Sequence, residues 1–385
     1  MKLRSNGVVW GFFWVVLLFF SGYAQDLASF EKITSEHKLS NGLTVIIVER
    51  HTAPVFSFFT LVDVGAVQEE PGRTGLAHMF EHIYTERDVV MEERRMRTDS
   101  TPIGRLVEQF LAAAFTAHPY GRPIVGWPSD LSTFSATDAK RFFEKYYVPS
   151  NMMITLVGDV QASRAMPILE RYFGRLPAAP KPAPLATEEP AQYVERQVIM
   201  KDASQPFFIE GYHRPDSRHP DNAIYDAISD ILSSGRTSRL YRALVRDRKI
   251  AVDAAGFNGF PGIKYPHLFA FYAVPAPGHT SEEARDTIHE QLERLKQDEV
   301  TDQELRQVKA RAKASLIRSL DGNMGLAQSL GTALVRFGNW REIFRQVERI
   351  ERVSKQDIRR VAQEVFVVSN RTAAWIETAG AQKAS

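Results

Sequence analysis

The run Gly72-Arg73-Thr74-Gly75-Leu76-Ala77-His78-Met79-Phe80-Glu81-His82 (GRTGLAHMFEH) holds the densest chemistry in the chain. On a helix, His78 and His82 stand at i and i+4, on one face about 6 Å apart, so both imidazoles can reach a single ion. Glu81 lies beside His82 and three residues after His78, so its carboxylate flanks the same place. Two histidines and one carboxylate form a ligand set for catalytic zinc that leaves a coordination position open for water. A glutamate that is not itself a ligand can accept the proton of that water. The order HxxEH is the reverse of HExxH and is the inverzincin signature.

Outward from this helix, Leu39-Ser40-Asn41-Gly42 reads as a turn feeding a strand over 43–48, with a second strand over 55–64. Helical periodicity covers 75–84 and then about 86–115. A short amphipathic helix over 138–147 ends before Pro149, and a strand follows over 152–157. Residues 176–192 (LPAAPKPAPLATEEPAQ) are rich in Pro and Ala without periodicity and read as a linker. Beyond them come strands near 194–212, a helix at 221–234, strands near 250–274 and a long helical region from about 281 to 336. Both parts mix helices with hairpin-like strands, which predicts an α+β fold.

The two parts are related. Ser135–Asn151 (SATDAKRFFEKYYVPSN) aligns without gaps on Ser354–Asn370 (SKQDIRRVAQEVFVVSN), with six identities in register: Ser135/Ser354, Asp138/Asp357, Arg141/Arg360, Val148/Val367, Ser150/Ser369 and Asn151/Asn370. This reads as a tandem duplication. The expected organisation is a leader over 1–24, an N-terminal zinc-binding domain over 25–180, the linker at 176–192 and a C-terminal homologous domain over 193–380. The halves are unequal. His82 precedes Ser135 by 53 residues, whereas the matching helix end near Gly235 precedes Ser354 by 119. The first half therefore lacks about 65 residues, after position 85.

With 385 residues and 44% hydrophobic composition, the chain can bury two cores. It has no cysteine, which excludes disulfides, Cys-ligated metals and thiol nucleophiles. A net charge of +2, with no GxxxxGK[ST], GxGxxG or GxSxG run, speaks against nucleic-acid, nucleotide and serine-hydrolase chemistry. Lys2 and Arg4 precede an apolar run from Gly7 to Phe20 and then Ser21-Gly22-Tyr23-Ala24. That is the pattern of a signal peptide cleaved after Ala24, so a periplasmic or secreted location is expected. Membrane attachment would follow only if the segment stayed uncleaved.

GRTGLAHMFEH, preceded by LSNGLTVIIVER and VDVGAVQEEP, resembles the pitrilysin/insulinase-type (M16) family of zinc metallopeptidases, which includes the mitochondrial processing peptidases. ERDVVMEERRM, HPYGRPIVG with SDL, FFEKYYVPSNMMITLVGDV and, in the second half, GRTSRLYRAL are similar to its further motifs, in its order. The likeness extends from about Lys38 to about Ile376. It implies two homologous domains of metallohydrolase type, each an antiparallel-rich sheet covered by helices, enclosing a chamber. It implies one Zn2+ per chain held by His78, His82 and Glu93, with Glu81 as general base and Glu86 supporting from behind the ligands. Glu86 and Glu93 are seven residues apart and share a helical face, whereas Glu92 points about 100° away and reads as a solvated charge. Peptide is the implied substrate, and pairing with a second copy or a related subunit is the implied assembly.

Two departures follow. Only ten residues separate His82 from Glu93, where the family has several dozen forming a strand and a helix; an unbroken helix would hold them about 16 Å apart, so a tight reversal near 84–88 is required. The family's substrate-binding Arg and Tyr map to Val245 and Val252, with Arg246 one position off register and read as a surface residue. The substrate-contacting residues are thus unassigned. His118 reads as a turn-stabilising histidine, and Phe142, Phe143, Tyr146 and Tyr147 as packing a helix on a sheet. The expected function is an exported zinc-dependent metalloendopeptidase. The alternative is a catalytically impaired member acting as a peptide-binding or assembly subunit.

Overall fold

The computed structural model describes residues 27–81 and 87–378. In chain order the first half contains α1 (Leu27–Glu31), β1 (Thr34–Lys38), β2 (Thr44–Glu49), β3 (Phe56–Val62), α2 (Leu76–Glu81), α3 (Arg87–Arg94), α4 (Pro102–Ala114), α5 (Pro128–Thr133), α6 (Ala136–Tyr146), β4 (Met152–Gly158) and α7 (Ala162–Phe173). Residues 177–192 carry neither helix nor strand. The second half contains β5 (Arg196–Asp202), β6 (Phe208–Arg214), α8 (Asn222–Ser233), β7 (Ala251–Phe260), β8 (His267–Pro275), α9 (Ser281–Gln297), α10 (Asp302–Asp321), α11 (Asn323–Phe337), α12 (Glu342–Arg352), α13 (Lys355–Val365) and β9 (Arg371–Thr378). The fold is α+β.

The repeat in the sequence is a repeat in structure. Ser135 and Ser354 each cap an eleven-residue helix, and Asp138 and Asp357 reach back to the cap to close the same reciprocal box. Both helices end in a 3-10 turn, at 149–151 and 368–370, leading into a strand. The turn asparagines repeat too: Asn151 Nδ2 donates to the carbonyls of Tyr146 and Asp63, and Asn370 Nδ2 to those of Val365 and His213. In both sheets the last strand runs parallel to one neighbour and antiparallel to the other: β4 lies between β2 and β3, and β9 between β5 and β6.

What the first half lacks is then visible. The first sheet has order β1-β2-β4-β3 and the second β5-β9-β6-β8-β7. Measured against the second half, the missing part is the whole β7–β8 hairpin with α9, more than one strand and one helix. Five residues (82–86) connect α2 to α3, whereas sixty-eight (234–301) connect α8 to α10. β3 consequently stands at a sheet edge with Phe56 57% and Phe58 41% exposed, whereas β6, flanked on both sides, has Phe208 at 1% and Tyr212 at 2%.

The halves hold each other by exchanging helices. α4, from the first half, lays Leu106, Phe110 and Ala114 against Phe207, Ile209, Leu268, Ala374 and Ile376 of the second sheet. α11, from the second half, lays Leu326, Ala327 and Leu330 against Ile46, Val48 and Val157 of the first. Each fully buried Leu or Phe contributes about 1.5–3 kcal/mol, so this reciprocal interface is a substantial part of the molecule's stability.

Candidate metal centre

Three sets of contacts fix the helix that carries His78. At its start, Gly75 has φ +95°, and a Cβ there would lie 2.5 Å from the Val125 carbonyl oxygen, so only glycine lets the chain pass. The N–H groups of Gly75 and Ala77, orphaned at a helix N-terminus, donate to the two carboxylate oxygens of Glu69 at 2.8 and 2.7 Å. Glu69 is 5% exposed, and burial pushes its pKa up to about 7. Beside it, Thr74 donates from its N–H and hydroxyl to Asp130 at 3.0 and 2.7 Å, and its hydroxyl accepts from the Trp127 N–H at 2.9 Å.

Along its flank, the Phe80 ring lies 5.8 Å from Phe142, 6.0 Å from Phe143 and 5.5 Å from Tyr147. These aromatics of α6 therefore clamp α2 rather than pack a helix on a sheet. Their cluster contains Leu76, Ala77, Phe142 and Tyr146 and no strand residue. The reason is geometric: two helices packed face to face satisfy each other's apolar stripes.

Across from α2, α3 presents Glu93. Its Oε2 lies 3.0 Å from His78 Nε2, and its Oε1 2.7 Å from Arg97 Nη1. Both side chains are largely buried, at 11% and 15% exposure. α2 and α3 thus bring together His78 and Glu93, residues that a continuous helix would hold far apart. Glu92, one residue earlier, faces solvent and pairs with Arg95 at 2.5 Å, as expected for a solvated charge. Arg94 is 4% exposed and ties α3 down: it donates to Glu108 of α4 at 2.9 Å and to the Gly126 carbonyl at 2.8 Å, and lies 5.6 Å over the Trp127 ring. Just after α3 the backbone forms a π-helical turn over Arg95–Asp99, a local widening often found at functional sites.

An imidazole nitrogen and a carboxylate oxygen are both zinc donors. With bonds of about 2.0–2.2 Å, donors around a tetrahedral ion lie about 3.3–3.6 Å apart. The His78–Glu93 spacing therefore suits a shared ion after a small outward relaxation. His82, Glu86 and the side chain of Glu81 lie outside the described residues. Among the described residues no three His, Asp or Glu side chains converge on one point.

The remaining candidates behave as surface or scaffold. Val245 packs against the second core, Val252 is 53% exposed, and Arg246 pairs with its neighbour Asp247 in solvent. His118 caps the 3-10 turn at 119–121 by accepting from the Tyr120 N–H at 3.1 Å. Glu69, Arg94 and Phe80 escaped the sequence reading. The one available signal was the acid at 69 ahead of the Pro71-Gly72 turn, and its seven-residue distance from the helix hides it from cap rules.

Residues 133–312 match the family model described as the Peptidase M16 inactive domain. Over 255 residues the chain is 31% identical to the zinc protease PqqE of Helicobacter pylori, an alignment covering 65% of this chain and 57% of that one. The crystal structure of a protease from Helicobacter pylori superposes with TM-score 0.84 at 25% identity, covering 89% of this chain and 99% of that one. In sequence and in fold the chain is similar to M16 peptidases. Its relatives include a probable mitochondrial-processing peptidase subunit beta of Arabidopsis thaliana, 25% identical over 296 residues. The chain spans 57% of the length of PqqE and 54% of that of the plant subunit. The matched family model begins beyond Glu93 and so leaves out the His78–Glu93 pair.

Proposed function

We propose that this chain is an exported zinc-dependent metalloendopeptidase acting on peptides or unfolded protein segments. The observation that carries the reading is the 3.0 Å approach of Glu93 Oε2 to His78 Nε2 across the shortened connection. The names of the relatives, zinc proteases, support it. In this reading His78, His82 and Glu93 hold the ion, one per chain, and Glu86 supports them. Bound zinc supplies a Lewis acid for the scissile carbonyl and lowers the pKa of an attacking water. Glu81 takes the proton from that water and later gives it to the leaving amine. Glu69 and the Phe80 clamp keep α2 in place, and Arg94 keeps α3 in place, so the ligands are held before substrate arrives. The chain acts in the periplasm or outside the cell, and pairs with a second copy or a related subunit to complete its chamber. The test is Glu81→Gln: bound zinc stays, and cleavage of an unfolded protein substrate falls by at least about a hundredfold. Retained cleavage would refute the mechanism.

A second reading has an observation of its own. The loss of the hairpin leaves β3 as an exposed edge with Phe56 and Phe58 uncovered, which suits an assembly or peptide-binding subunit without catalysis. That reading calls for little bound zinc and no cleavage, with binding to a catalytically complete partner.

A further inference from the structure

A cavity of about 690 Å³ opens in the second half between α8, α10, α11, α12 and the β7–β8 turn. Its volume falls in the range of small-molecule sites, roughly 300–1,000 Å³. On one side Asn222 and Asn258 donate to the two oxygens of Asp226 at 3.0 and 2.7 Å, and Arg214 donates to both asparagine carbonyls. That network is complete, and it needs no ligand.

The other side is not complete. Arg336, half-buried near the end of α11, has no hydrogen bond or ion pair among the described residues. Its guanidinium lies 5.5 Å from the ring of Phe337 and feels the charge of the Asp226 carboxylate without bonding to it. A cation at a helix C-terminus is ordinary when it reaches water, but burial here lowers the pKa of Arg336; the Asp226 carboxylate, which lines the same cavity, offsets this only in part, and no acceptor bonds the guanidinium. Two further polar atoms line the same cavity without partners: Ser217 Oγ, on a residue 5% exposed, and His267 Nε2, on a residue 1% exposed. His267 Nδ1 lies 2.8 Å from the Tyr265 carbonyl, which can only accept, so the proton is on Nδ1 and Nε2 is a bare acceptor. The cavity therefore offers a cation, an acceptor and a hydroxyl, none with a hydrogen-bond partner among the described residues.

The complement is a carboxylate with an N–H donor a few atoms away. We propose that this cavity binds the carboxylate end of an amino acid or peptide, with Arg336 holding the carboxylate and His267 Nε2 accepting from the neighbouring N–H. The site is separate from α2 and α3 and does not depend on zinc. Arg336 also lines a second cavity, of about 870 Å³, beside the 181–189 linker, which gives a longer ligand somewhere to extend.

Isothermal titration of the full chain with trialanine, trialanine amide and glycine tests this, with 1,10-phenanthroline present to stop any cleavage. Trialanine is expected to bind at least tenfold more tightly than its amide, and Arg336→Gln to abolish the difference. Arg336→Gln breaks no hydrogen bond and removes only the attraction to Asp226, so the variant should melt close to the wild type; the acid-against-amide comparison stands without any variant. Glycine binding as well as trialanine identifies a free amino acid as the ligand, and trialanine alone a peptide C-terminus. Both support the site. No binding, equal binding of acid and amide, or unchanged binding in Arg336→Gln overturns it.

Discussion

Gly72 and Gly75 offer a controlled pair for testing how the His78 helix is held. Both have positive φ, +81° and +95°, so replacing either with alanine brings the same left-handed penalty of about 1–2 kcal/mol. They differ in their surroundings. A Cβ on Gly72 meets nothing within 4 Å, whereas one on Gly75 would lie 2.5 Å from the Val125 oxygen and 2.9 Å from Leu131 Cδ2. Ordinary contact begins at 3.4 Å, so the backbone at 75 or at 125 must retreat by about 0.9 Å. Either movement pulls the Gly75 and Ala77 N–H groups from Glu69, and a buried hydrogen bond lost on one side costs about 1–3 kcal/mol. Gly75→Ala should therefore destabilise the protein by about 2–5 kcal/mol and Gly72→Ala by about 1–2 kcal/mol. Gly75→Ala should also weaken zinc binding, because His78 is three residues further along the displaced helix. Guanidinium unfolding midpoints measure the first effect and zinc content the second. Losses within about 0.5 kcal/mol of each other would show that the close approach at Val125 does not hold α2, and the account of its positioning would be wrong.

Two other predictions concern buried charge. Because burial raises Glu69 to about 7 from an ordinary 4.5, the folded state holds a proton that the unfolded state has released between those values. Stability from this group is present below about pH 4.5 and lost as pH rises through 7. The loss is about 3 kcal/mol, and it should vanish in Glu69→Gln, as read from melting temperature against pH. Arg94→Ala removes a buried cation and leaves Glu108 uncompensated, at a cost of about 3–5 kcal/mol. Glu92→Ala, which removes only a solvent-exposed pair, should leave the unfolding midpoint unchanged.

Much of this was legible in the chain itself because the signals were local or repeated. A capped helix, a turn and a strand recur at 135–157 and 354–376, and the spacing within the His78–Glu93 segment already set α2 and α3 apart as two helices, whose His78 and Glu93 side chains meet at 3.0 Å. The 53-against-119 mismatch located the missing segment, yet its content, a full hairpin with α9, became visible only when β3 and β6 could be compared in their sheets. What stayed hidden depends on partners distant in sequence. α4 has an apolar stripe, but nothing in Leu106, Phe110 and Ala114 says that they cover the second sheet instead of their own. The Glu69 carboxylate reaches its helix from beyond a Pro-Gly turn. Phe142 and Tyr146 read as apolar anchors, and which surface they anchor is settled by Phe80.

The most direct test is zinc per chain in the purified protein, measured beside Glu93→Ala prepared in the same way. About one zinc per chain is expected in the wild type and a large loss in the variant, because Glu93 meets His78 across the shortened connection. Little zinc in either protein, or the same amount in both, would contradict that expectation and leave the chain as a binding or assembly subunit.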